Sequence, residues 1–112
     1  MTVDDLAPRP TQCEPFRRSS ARFVPARSGC YVLASFSRVV LYVGLASNLR
    51  KRLTAHLDDP QKTGATPNGR AVWFFWIESA ETNRIERTWM NIHVQYEGRL
   101  PELNGLFSPV AT

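Results

Sequence analysis

Five side chains in this sequence have the types to share one piece of chemistry: Tyr31, Tyr42, Arg52, His56 and Glu86. A guanidinium is a planar fork that holds a phosphate with two parallel hydrogen bonds. One carboxylate is enough for a weak magnesium-type site, because that ion keeps several waters and completes its shell on substrate phosphate. Phenol and imidazole groups move protons. A free tyrosine has a pKa near 10, so it is about a thousandfold under-ionised at neutral pH unless positive charge lies beside it. Each residue also has a plain structural explanation. Tyrosines fill half-buried strand surfaces, an arginine on a helix flank faces solvent, and Glu86 can pair with Arg84 or Arg87. Taken singly, the structural explanation is the better one; order and spacing change that.

The elements that must position these groups are legible from Gly29 onward. Residues 29–34 and 39–44 are both rich in β-branched and aromatic residues, and Ser35–Arg38 has the length of a hairpin loop. With that loop, Ala34 pairs with Val39 and Tyr31 stands opposite Tyr42 on one face. Ser47 is a candidate N-cap for a helix in which Leu49, Leu53 and Leu57 recur every fourth residue. Arg52 and His56 fall one turn apart on the border of that stripe, and Lys51 points to solvent. Residues 58–70 read as a surface loop. Residues 71–77 have no helical period and read as a strand covered on both faces. A second helix runs from about Glu81 to Tyr96, with Gly98 placed to stop it. Its expected buried stripe is Ile85, Trp89, Ile92 and Tyr96, with Glu86 and His93 on the flank. The order predicts an α/β (α+β) domain, β-β-α-β-α, with a central, mainly antiparallel three-stranded sheet flanked by helices.

The 112 residues leave room for one core. Residues 1–22, with Pro8, Pro10 and Pro15, read as a basic, poorly ordered arm ahead of a domain over 23–112. Formal net charge is +4, and every basic residue except Lys51 and Lys62 is arginine. Such a balance suits a nucleic-acid partner without requiring one. The apolar runs are too short to cross a bilayer, so no membrane partner is expected. Cys13 and Cys30 match neither a disulfide framework nor a zinc spacing, and the acidic start is unlike a secretory signal, so a cytoplasmic location is expected.

Gly29-Cys30-Tyr31, Tyr42-Val43-Gly44, the arginine eight residues beyond Gly44, and His56 one turn later together resemble the core of the GIY-YIG nuclease family. Arg84-Ile85-Glu86 resembles the helix bearing that family's metal-binding glutamate, and Pro101–Asn104 resembles its closing Pro-x-x-Asn. Cys30 stands for the usual isoleucine or valine. Leu45 stands where the DNA-repair excinuclease members often carry lysine, and the Glu86–Asn104 separation is longer than in many members. The resemblance implies a metal-dependent endonuclease acting on DNA, with Mg2+ or Mn2+ as cofactor. In it Glu86 holds the ion, Arg52 stabilises the phosphate, Tyr31 is the general base and Tyr42 positions water or phosphate. His56 shares base work or holds Tyr42. Gly44, Arg50, Lys51 and Asn104 complete the set as substrate contacts. Two other readings stay open: a non-catalytic nucleic-acid-binding module, and the catalytic subunit of a larger assembly whose protein partner supplies targeting.

Overall fold

The computed structural model describes residues 1–104; residues 105–112, the end of the domain read from sequence, lie outside it. Strands β1 (Gln12–Pro15), β2 (Gly29–Ala34), β3 (Val40–Ala46) and β4 (Trp73–Glu78) form one antiparallel sheet in the order β1-β4-β2-β3. Helix α1 (Leu49–Leu57) and helix α3 (Thr82–Glu97) flank it, and a single helical turn, α2 (Pro60–Thr63), follows α1. The helix-flanked antiparallel sheet is the α+β arrangement expected from the sequence. The fourth strand is new. Residues 1–22 are not set apart from the fold, since β1 pairs with β4, and Val3, Leu6 and Phe16 are buried. These apolar residues are scattered among prolines and make no period that sequence reading could detect.

Strand alternation sorts the core into two layers. Tyr31 and Leu33 join Tyr42, Leu49, Leu53, Phe74 and Trp76 on the α1 side of the sheet. Cys30, Val32 and Ala34 join Val3, Val43, Phe75 and Trp89 on the α3 side. Helix α1 is capped by Asn48, not Ser47: the Asn48 side chain accepts from the Lys51 amide at 3.0 Å. The stretch read as loop contains α2, which starts on Asp59, whose carboxylate accepts from the Gln61 amide at 2.9 Å. Proline 60 suits the first helical position because no partner is lost there.

Helix α3 ends at Gly98, whose φ of 76° is left-handed backbone. Its buried stripe is partly other than expected. Trp89 is buried and Ile85 and Ile92 are half-buried, but Tyr96 is 62% exposed and His93 is buried instead. The chain reverses at Gly98 and brings the Arg99 carbonyl to 2.7 Å from His93 Nδ1, which satisfies a histidine that the sequence placed on the flank.

The hairpin register differs from the expected one by two residues. Arg38, at φ 72°, closes a three-residue loop, and Ser35 N–H donates to Val39 O. A bulge beyond Ala34 then leaves Leu33 opposite Tyr42 and Tyr31 opposite Gly44. Tyr31 and Tyr42 are therefore diagonal neighbours rather than a direct pair. Because two single-residue slips add to an even number, Tyr42 keeps the face that the sequence assigned it.

Asn104 clamps the outer edge of β3. Its amide accepts from Val43 N–H and donates to Val43 O, both at 2.9 Å, and Leu103 N–H donates to Leu41 O. The side chain thus stands in for a missing fifth strand. Asn104→Ala leaves two buried backbone groups unpaired and is expected to cost about 1–3 kcal/mol of stability by denaturant titration. An unchanged unfolding midpoint would remove this role.

Candidate active site

Tyr31 and Tyr42 meet above Gly44. Their rings stack at 5.9 Å between centroids with a 29° tilt, and Phe74 backs Tyr31 at 5.2 Å. Gly44 is the floor of this arrangement: a Cβ there would lie 2.5 Å from Tyr31 Oη and 2.8 Å from Tyr42 Cε2. The second glycine is therefore required by the close approach of the first tyrosine. From α1, His56 reaches Tyr31 Oη with Nε2 at 2.6 Å and sets its ring edge-on to Tyr42 at 5.1 Å. The hydrogen bond that the sequence left open thus goes to Tyr31, not to Tyr42. Both phenols are deep, Tyr31 at 0% exposure and Tyr42 at 7%.

The charges around this pair come from Arg52, Asp59, Lys62 and Glu86. Burial pushes the Tyr31 phenol well above its ordinary value, and the Arg52 guanidinium opposes that rise. Burial also raises Tyr42, but the adjacent Tyr31 hydroxyl and Arg52 both favour its ionised form, while Glu86 and Asp59 oppose it. His56 falls to about 4, chiefly through burial and then through Lys62 and Arg52, so it is neutral at physiological pH. The Glu86 carboxyl is half-buried and raised by desolvation, with Arg87 as the opposing charge. It touches the field of both Tyr42 and Cys30, which lie on opposite faces of the sheet. Cys30 itself is an inert packing thiol, raised to about 12 by burial and by Glu86, with Sγ 3.2 Å from the Thr82 carbonyl.

The fold has counterparts among solved structures. A solved structure of the N-terminal GIY-YIG endonuclease domain of UvrC from Thermotoga maritima, a point mutant bound to its catalytic divalent cation, superposes with a TM-score of 0.52 at 18% identity over 80% of this chain and 94% of that one. The fold is that of a GIY-YIG domain. The magnesium-bound form of the same UvrC domain gives a TM-score of 0.51 at 21% identity, covering 79% of this chain and 94% of that one. In sequence, UvrABC system protein C of Acidothermus cellulolyticus is 32% identical over 89 residues, 74% of this chain. The chain spans 13% of that protein's length. No family model matches the chain.

Within this fold the remaining sequence candidates divide. Gly44 and Arg52 lie beside the two phenols. Arg50 turns away from the phenols: its Nε donates to Val24 O at 2.8 Å, and it lines a cleft with Arg22, Phe23 and Trp76. Lys51 is exposed and shares a shallow groove of about 440 Å³ with Asn48, Arg52 and Asp58. Asn104 is committed to Val43. Lys62, passed over in the sequence, sits with Nζ 5.0 Å from the Tyr42 ring centroid. Its signal was the Asp59-Pro60 helix start, which marks a structured turn inside the supposed loop. Among the described residues no three His, Cys, Asp or Glu gather as a metal-ligand cluster. Nor is any helix among them long and apolar enough to cross a membrane.

Proposed function

We propose that this domain is a metal-dependent endonuclease that hydrolyses phosphodiester bonds in DNA. The observation that carries the reading is the meeting of Tyr31, Tyr42, Arg52 and His56 within one electrostatic neighbourhood that also feels Glu86. The likeness to UvrC's endonuclease domain supports it.

A half-buried carboxylate opposed by Arg87, with no cluster of three His, Cys, Asp or Glu among the described residues, suits a hydrated hard cation better than zinc. Glu86 would hold a Mg2+ or Mn2+ ion, which when bound neutralises charge on the phosphate. Arg52 grips the scissile phosphate and meets the charge that develops on it. The proton of the attacking water goes to the phenol pair. Tyr31 is sealed from solvent and costly to ionise, so Tyr42 is the member that meets water. Tyr42 must first lose its own proton to solvent. The Tyr31 hydroxyl, held by neutral His56, and Arg52 steady the resulting phenolate, which the proton of the attacking water then returns to the phenol. This shares between two tyrosines the base role that the family resemblance gives to Tyr31.

The test is a set of labelled duplex, branched and single-stranded DNAs and RNAs incubated with and without Mg2+. Cleavage of DNA with Mg2+ and none in chelator is expected. Metal-independent binding without cleavage would instead identify a nucleic-acid-binding module. In the same assay Arg52→Ala is expected to lower turnover by about 100-fold or more. Unchanged turnover in that variant would take Arg52 out of the mechanism.

A further inference from the structure

The motif residues account for one cation beside the phenols, Arg52; the structure adds a second. Lys62 lies on α2, six residues beyond His56, and its placement is built by a short chain of contacts. Asp59 N–H donates to His56 O at 3.1 Å, which ties α2 directly to the end of α1. The Asp59 carboxylate then caps α2 through the Gln61 amide and faces Lys62 Nζ at 3.7 Å. The Lys62 side chain is only 12% exposed, and its ammonium stands over the Tyr42 ring, 5.0 Å from the centroid. An ammonium is strongly hydrated, yet here the head is drawn in against an aromatic face.

Two features of this seat bear on its purpose. Tyr42 is the more accessible phenol, and the Lys62 ammonium stands over its ring, so a phosphate arriving at Tyr42 comes within reach of both. The hold on Lys62 is also light: an ion pair at 3.7 Å with a partner that is 38% exposed, and a cation–π contact. At 3.7 Å the Asp59 pair is longer than a charge-assisted hydrogen bond, so a phosphate oxygen at hydrogen-bond distance would be the closer partner. Strand β3, which carries Tyr42, has no cation of its own.

We propose that Lys62 is a substrate-binding residue of this site: its ammonium leaves the Tyr42 ring for a phosphate oxygen when a DNA strand enters, and with Arg52 forms a two-cation clamp. The inference rests on the nuclease reading, since it assigns a contact to that reading's substrate.

The experiment measures binding of a labelled DNA duplex in chelator, so that no cleavage occurs, over a range of salt concentrations. Each phosphate neutralised adds about 0.9 to the slope of log affinity against log salt, and a residue that only packs does not change that slope. Lys62→Met is expected to lower the slope by about 0.9 with the helix and sheet content unchanged, and Lys62→Arg to keep the wild-type slope. A Lys62→Met slope equal to wild type overturns the proposal, even where cleavage by the wild-type domain upholds the nuclease reading. Amine-reactive footprinting of the unmodified protein gives an independent reading should Lys62→Met not fold. DNA is expected to slow modification of Lys62 by several-fold; an unaltered rate in bound protein overturns the assignment.

Discussion

Glu86→Gln is expected to reduce Mg2+-dependent DNA cleavage by about 100–1,000-fold or more while the protein stays folded. The loss is on the scale of removing one preorganised charge-stabilising group, and among the described residues no three His, Cys, Asp or Glu gather as an alternative ligand set. Stability should be spared because Glu86 is half-buried beside the Trp89 stripe rather than within it, and burial already disfavours its charged form. A neutral side chain of the same shape removes that desolvation cost. The check is a cleavage rate across a magnesium titration alongside a melting curve. Wild-type cleavage by the variant, with contaminating nuclease excluded, would end the assignment of Glu86 to the metal.

Gly44→Ala is expected to harm the site more than its size suggests. The new Cβ would stand 2.5 Å from Tyr31 Oη and 2.6 Å from Tyr31 Cζ, distances at which atoms must move. Tyr31 has nowhere to go, with Phe74 stacked behind it and His56 holding its hydroxyl. Overpacking of this kind costs about 1–3 kcal/mol. A shift of about 1 Å in a reacting group costs about 100-fold in rate, and that is the expected loss of cleavage. Denaturant titration and turnover measured together decide the matter. An alanine variant with wild-type stability and turnover would show that the phenol pair does not rest on this glycine.

Local pattern carried much of this fold. The leucine repeat marked α1, the β-branched runs marked β2 and β3, and Gly98 marked the end of α3. What stayed hidden depended on contacts distant in sequence. Strand β1 is short and polar, and only its pairing with β4 makes it a strand. The buried place of His93 depends on a carbonyl supplied after the chain reverses. The hairpin shift depends on a bulge that hydrophobic pattern alone does not reveal. The site was readable for the same reason that the arm was not: Tyr31, Gly44, Arg52 and His56 are fixed by spacing along two strands and one helix. The division of labour between Tyr31 and Tyr42 was not readable, because it follows from burial and neighbouring charge. Asn104 was identified by its motif, but its bonds to the Val43 backbone show a clamp on the edge of the sheet.

The most direct measurement is a crystal of the unmodified domain soaked in manganese, with the ion located by its anomalous signal. The account predicts one strong peak at coordinating distance from the Glu86 carboxylate and facing the Tyr42 hydroxyl, and its loss in Glu86→Gln. A peak seated elsewhere, or one that survives that substitution unmoved, would contradict it.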